Sequence, residues 1–389
     1  MGVPLSVVLY CPDRHLTYDG RTPDEQGVGG GVTSRVRMAR ALARLGHNVI
    51  QVVNCPRRET IDGVDYRPLD DTGPLRADVT VFSTSGGALD LSPALDLDLA
   101  ARLRIVWVHG TQPPGALDRL QCDALYSVSN FLARIVIREW GIPATKLHVS
   151  YSGYEPAHFS AAEADAPERD PFQLIYFSHP SKGLETAMAV LRELRARDPR
   201  FHLEVVGGAR LWGGAEAAPV QADGVHDHGL LGQRALTTLL LRSTYAMQMQ
   251  DREEPFGLTV IEAMRAGLVV VASPVGALPE LLTDGMDGVI IRGDHREPSV
   301  RRAAADAILK LHANPDVRAA LVRRGRAAAP DTQTLARAWV QDWQARLGEA
   351  EPVRAACSHC GAPANRLADG DHCTACGLFS PPAFGQAER

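Results

Sequence analysis

The sequence predicts two doubly wound α/β halves followed by a small metal-bound segment. Three observations carry this expectation. Short apolar runs alternate with helix-like stretches along residues 5–151 and again along 172–347, the pattern of parallel strand–helix–strand units. A small, acidic, Pro-punctuated stretch at 160–171 separates the two series and reads as a linker. Two closely spaced Cys-x-x-Cys pairs then follow Glu351-Pro352. Two such halves place a cleft between the carboxyl ends of their strands, where ligands bind.

In the first half, strands are expected at 5–10, 48–53, 79–82, 104–108, 124–128 and 146–151. Helices are expected at 33–45, closed by Gly46, and at 129–140, closed by Gly141. In the second half, strands are expected at 172–177, 201–206, 245–249 and 268–272. The helices there are 183–195, 233–241 and a short one at 278–282. Further helices follow at 297–312, 317–327 and 332–347, the last with a Trp-bearing apolar face. The domains are therefore set at 1–165 and 166–330, with a helix at 331–350 and a Cys-rich segment at 351–389.

Composition narrows the class. The 389 residues are 45% apolar and 22% charged, with a net charge of −5, which argues against bulk nucleic-acid binding. No apolar run approaches the ~18–20 residues that span a bilayer. The first ten residues lack a basic segment and read as a strand, so no signal peptide is expected. The expected location is cytoplasmic, with peripheral membrane contact open through an Arg-bearing helix. Cys11, Cys55 and Cys122 are scattered and read as buried or indifferent thiols.

The densest chemistry lies at 253–267, where Glu254 and Glu262 flank a Pro255-Phe256-Gly257 turn that opens a helix. Free N–H groups at such a turn, on Gly257, Leu258 and Thr259, suit a phosphate. Glu262, four residues after Leu258, shares its face and can accept from a ribose diol. Glu254 can face whatever hangs from the other end of the phosphates, so the spacing suits a nucleotide–diphosphate–sugar. A strand runs into a short loop with Ser178 and His179, and Lys182, which begins the next helix, either offers a cation for that diphosphate or is a solvated surface lysine. Gly276, in a turn at 273–280, either lines the same cleft or is only a tight turn. Gly29, Gly30 and Gly31 precede the first long helix and read either as a ligand loop or as a flexible connector. His109, just past a strand, is placed to bind a sugar or orient an acceptor hydroxyl, or is a satisfied structural histidine. Cys357, Cys360, Cys373 and Cys376 form two knuckles, each followed by a glycine, and four thiolates suit structural Zn²⁺ with no open position. His359 and His372 are spare ligands at best.

Together these motifs resemble glycosyltransferase family 4, the retaining enzymes of GT-B fold. The resemblance spans most of residues 1–350. It is most specific from Val205-Val206-Gly207-Gly208 to Gly288. It implies a donor half that binds a UDP-, GDP- or other nucleotide-diphosphate sugar. Lys182 and the backbone at 256–259, beginning at Phe256, would hold the diphosphate and sugar. Glu262 would hold the ribose and Glu254 the sugar hydroxyls. The first half would recognise an acceptor (glycan, lipid-linked, small molecule or protein) with the Gly29–31 loop and His109, and the 332–347 helix would cross back to it. Catalysis is implied to need no metal, and Asp96-Leu97-Asp98, in a helix-like stretch, is given no role. The family often carries an Arg shortly before the lysine. Here that loop offers Ser178 and His179, with Arg210 beyond Gly207 as another substitute. The Cys-rich segment lies outside the family core, and either docks a protein partner or the acceptor, or packs on the enzyme itself. Rival readings are a nucleotide-sugar epimerase of the same fold and a non-catalytic sugar-nucleotide-binding adaptor.

Overall fold

The computed structural model describes residues 3–165, 167–212, 214–215 and 218–382. The chain forms two compact units. Unit 1 comprises Met1–Arg21, Gly30–Gly153 and Pro330–Arg389, and unit 2 comprises Thr22–Gly29 and Tyr154–Ala329. Residues 383–389, the end of the expected Cys-rich segment, lie outside the described residues.

Unit 1 holds an eight-stranded sheet built from β1 (Ser6–Tyr10), β2 (Asn48–Val53), β3 (Glu59–Ile61), β4 (Val64–Pro68), β5 (Leu75–Ser83), β6 (Leu99–Val108), β7 (Ala124–Ser127) and β8 (Leu147–Val149). The spatial order is β3-β4-β2-β1-β5-β6-β7-β8, and only the β3–β4 pair is antiparallel. The apolar runs are buried on both faces, as a helix-covered parallel sheet requires. The helix Gly30–Arg44 buries Val36, Met38 and Leu42, and also Arg35, Arg37 and Arg40. The helix Thr332–Arg346 buries Trp339 and Trp343, with Trp339 edge-on to Trp107 and Tyr126.

Two features of unit 1 differ from expectation. The hairpin β3–β4 was not foreseen, although its Asp62-Gly63 turn, with φ of 51° and 79°, is a strong hairpin signal. The helix-like reading around Asp96-Leu97-Asp98 gives way to a single 3₁₀ turn, Ser92–Asp96, that runs into β6.

Unit 2 is an all-parallel sheet of β9 (Gln173–Phe177), β10 (His202–Val206), β11 (Val225–Asp227), β12 (Tyr245–Gln248), β13 (Val269–Ala272) and β14 (Val289–Ile290), in the order β11-β10-β9-β12-β13-β14. Leu174, Tyr176, Leu203, Met247 and Val271 form its core with Leu191 and Ile308 from covering helices. The strand order reverses at β9 and β12, which is where such sheets take ligands.

The linker expected at 160–171 is largely structured. A helix, Pro156–Ala164, runs into it, capped by Glu155 and burying Phe159 and Ala162. The small alanines that suggested a linker are good helix formers once a face is buried. Further along, Arg169 donates to the Ser243 and Ala266 carbonyls, and Asp170 accepts from the Phe172 amide. No described helix is long and apolar enough to cross a membrane.

Candidate functional site

The unit 2 site is assembled by glycines that allow strand ends to touch. Gly183, at φ 99°, caps the helix Leu184–Arg195, and a Cβ there would lie 2.0 Å from the Met249 carbonyl oxygen. The loop after β9 is thus pressed against the end of β12. Lys182 consequently reaches Glu254, with Nζ 2.6 Å from Oε2, and both side chains are largely covered. Gln250 donates to the same oxygen at 3.4 Å. Gly257, at φ 108°, caps the helix Leu258–Ala266 that carries buried Glu262. Phe256 is buried, and Leu258 and Thr259 form the first turn.

The turn at 273–280 belongs to the same cluster. A Cβ on Gly276 would lie 2.3 Å from the Glu254 carbonyl oxygen, and the Ala277 amide donates to that oxygen at 2.8 Å. This close approach accounts for the glycine structurally and puts it directly on the Glu254 backbone.

Beside Lys182 lies a feature that sequence reasoning missed. The His179 ring stacks on Trp212 with centroids 3.8 Å apart and planes within 9°. Arg252 lies over the same indole at 4.7 Å and Lys182 Nζ at 5.4 Å. Burial, then Arg252 and Lys182, push the His179 pKa down, which keeps the ring neutral at pH 7. The Ser181 amide donates to His179 Nδ1, so its remaining N–H is on Nε2. Ser178 packs its carbonyl against Gly207, where a Cβ would be 2.2 Å away. Arg210 is exposed on the 3₁₀ turn Ala209–Trp212. Arg252 thus brings a second cation beside Lys182, at a residue the sequence reading did not single out. Its position just before Glu253-Glu254 was the available signal.

The remaining predicted residues are divided between the units. Gly29 belongs to unit 2, and a Cβ there would lie 3.3 Å from the Leu211 carbonyl. Gly30 and Gly31 open the first long helix of unit 1. His109, also in unit 1, follows β6 and packs on Trp107 at 4.3 Å. Its amide donates to Thr84 Oγ1 at 2.8 Å, while its buried Nε2 has no hydrogen-bond partner. Burial first, and Arg35 second, push its pKa down to about 3. A neutral imidazole with one bare nitrogen can orient a hydroxyl but is a weak proton acceptor.

The four cysteines converge. Their Sγ atoms lie within 4.8 Å of one another, with Cys357–Cys376 at 3.8 Å and Cys360–Cys373 at 3.6 Å. Tetrahedral Zn²⁺ with bonds of ~2.3 Å separates its sulfurs by about 3.8 Å, so the cluster fits that ion. Each knuckle directs amides at a sulfur: His359 N to Cys357, and Ala375 N and Cys376 N to Cys373, all at 3.4 Å. Zinc bound here would hold together β15 (Val353–Ala356), β16 (Pro363–Leu367), β17 (Gly370–Cys373) and β18 (Phe379–Ser380). The spare histidines are otherwise engaged, His372 with Asp369 at 2.8 Å and His359 with the Phe379 carbonyl at 3.0 Å.

This ribbon is part of unit 1. Asn130 donates to the Phe379 carbonyl and accepts from its amide, each at 2.8 Å. The His372 ring stacks on His148 of β8 at 4.0 Å and 6°. Phe379 meets Tyr151 edge-on, and the Ala368 amide donates to Gln341.

Comparison with known proteins fits this geometry. The pattern of the family described as "Glycosyl transferases group 1" matches residues 173–314, the strands and helices that carry Lys182, Glu254 and Glu262. Those residues are similar to this family. A relative, the GDP-mannose:cellobiosyl-diphosphopolyprenol alpha-mannosyltransferase of Xanthomonas campestris, is 27% identical over 299 residues, covering 74% of this chain and 71% of that protein. Among solved structures, sucrose-phosphate synthase from Thermosynechococcus elongatus aligns with a TM-score of 0.65 at 17% identity, covering 89% of this chain and all of that one. Anabaena HepE in complex with UDP-glucose aligns with a TM-score of 0.58 at 15% identity, covering 88% of this chain and 100% of that one. The chain therefore has the GT-B fold, with a Cys₄ segment consistent with a small zinc ribbon.

Proposed function

We propose that this glycosyltransferase takes its sugar from a nucleotide diphosphate and passes it, with retained anomeric configuration, to an acceptor hydroxyl. The observation that carries the reading is the Lys182–Glu254 pair, held by Gly183 and Gly276 beside Arg252 and the N-terminus of the Leu258–Ala266 helix. A bound diphosphate would compete for the Lys182 ammonium. Glu254 would then be free to accept from sugar hydroxyls. The amides at 257–259 would face a phosphate, and Glu262 would hold the ribose. HepE, crystallised with UDP-glucose, supports a nucleotide-sugar donor, and the Xanthomonas relative, named for GDP-mannose, leaves the base open.

In the reaction, the bond from the anomeric carbon to the phosphate oxygen breaks as the bond to the acceptor oxygen forms. The acceptor proton passes to an oxygen of the departing diphosphate. Lys182, Arg252 and the helix amides meet the negative charge that builds there, so the step is assigned no metal. The epimerase alternative would need a strong proton acceptor at the sugar carbon. The contacts between ribbon and unit 1 support a structural role for the zinc segment over a docking one. Thermal-shift screening of sugar nucleotides tests the donor class, with Glu262→Ala expected to abolish the shift. Equal shifts in wild type and Glu262→Ala would refute the assigned cleft residues.

A further inference from the structure

A second cluster of metal-ligating side chains lies on unit 2, outside the residues assigned to the reaction. β10 and β11 pair in parallel with Glu204 opposite His226, and β11 is the edge of the sheet. Alternation puts His202 on the same face as Glu204, two residues away. The result is three potential ligand atoms, from His202, Glu204 and His226, within 4.8 Å of one another. His226 Nδ1 lies 2.8 Å from Glu204 Oε1, and His202 Nε2 lies 3.7 Å from that oxygen. His228 Nε2 is 2.5 Å from the other oxygen, Oε2, and so fixes the carboxylate in its plane. Asp170 Oδ2 also lies 3.7 Å from His202 Nε2.

The His202 ring is oriented for ligation. Its Nδ1 is 3.2 Å from the Arg200 carbonyl, which can only accept, so Nδ1 carries the hydrogen. In the neutral ring Nε2 then presents a lone pair toward two carboxylate oxygens. The 3.7 Å spacings exceed a hydrogen bond but suit donors that share one cation, because ligands at ~2.0–2.2 Å from a metal lie roughly 3–4 Å apart. A backbone carbonyl on the far ring nitrogen is the usual outer partner of a metal-bound histidine.

We infer that His202, Glu204 and His226 form a binding site for a borderline divalent transition cation of the Zn²⁺, Co²⁺ or Ni²⁺ class, selected by its imidazole–carboxylate donor set. The site is a brace. β11 is only three residues long, and the ion would tie it to β10. The Gly207 amide donates to the Gly229 carbonyl at 2.8 Å, which links the two strand ends to the loop carrying Trp212. The inference is independent of the donor assignment, since none of these residues is given a role in the transfer.

The test uses the full chain with its cysteine cluster already loaded with zinc, titrated calorimetrically with Co²⁺ alone. Wild type is expected to take up one further equivalent. His226→Ala and Glu204→Gln are each expected to weaken that uptake by about tenfold or more, as loss of a ligand does. His226 is largely exposed, so its substitution leaves the core intact. Absorption discriminates the location, because Co²⁺ on thiolates gives intense near-ultraviolet bands and on imidazole and carboxylate does not. No further equivalent in wild type, a further equivalent unchanged in His226→Ala, or one that shows thiolate bands would overturn the inference.

Discussion

Lys182 and Glu254 neutralise each other while both are largely withdrawn from water, so each depends on the other for its environment. Lys182→Ala is expected to cost turnover more than donor affinity, by about 10²-fold, because in the proposed reaction the ammonium acts on charge that develops during transfer. Steady-state kinetics with the preferred donor checks this, and an unchanged kcat would exclude the residue from the chemical step. His109 gives a second expectation, in acid stability. Its pKa is pushed down to about 3 by burial, against ~6.5 in the unfolded chain. The unfolded state therefore takes up the proton first. The stability this histidine contributes is fully present above about pH 6.5 and is lost as pH falls toward 3, with a slope of at most ~1.4 kcal/mol per pH unit. Urea midpoints between pH 7 and 5 should fall in wild type and fall less steeply in His109→Gln. An identical slope would show that another group titrates.

At the scale of elements, the ribbon and the edge strand β8 form one packed layer through Asn130, His148 and Phe379. Asn130→Ala removes both partners of the Phe379 backbone and should cost about 1–3 kcal/mol. With zinc loaded on the cysteine cluster, its chelation should loosen the ribbon and also raise hydrogen exchange at β8. Exchange confined to the ribbon would mean that the two are energetically separate. The knuckles themselves were legible, because cysteine spacing encodes a local geometry. The turn at Gly276 was legible too, since a turn leaves its mark within a few residues, but the Glu254 backbone it presses against was not. What the ribbon packs on was not, because Asn130 and Phe379 are 249 positions apart. Trp212 and Arg252 escaped for the same reason: each is unremarkable within its own loop, and only the fold stacks them beside His179. The helix Pro156–Ala164 was misjudged because its stability comes from burying Phe159 and Ala162, which its small, polar composition conceals.

Across the whole molecule, unit 1 is discontinuous in sequence, and the part contributed by residues 330–382 is not peripheral. Gly153 touches the Thr332 backbone so closely that a Cβ would lie 2.5 Å from its amide nitrogen. Trp339 donates to Ser150 at 2.6 Å, and buried Asp342 accepts from Tyr126 and from Arg346. A chain cut after Ala329 should therefore keep hydrogen-exchange protection in β9, β12 and β13 while losing it in β6–β8. Equal protection of β6–β8 in the cut and intact chains would show that the sheet is complete without the returning segment.

The returning helix Thr332–Arg346 also sets an order of assembly during synthesis. The residues of unit 2 after Gly153 leave the ribosome before Pro330, the first residue of the segment that completes unit 1. At about 5–20 residues per second, that interval lasts roughly 10–35 s. Through it the nascent first sheet holds Trp107 and Tyr126 without the indole that later covers them, a surface for a chaperone to shield. The half translated first is thus the half finished last, and its maturation waits on a helix made after the whole of its neighbour.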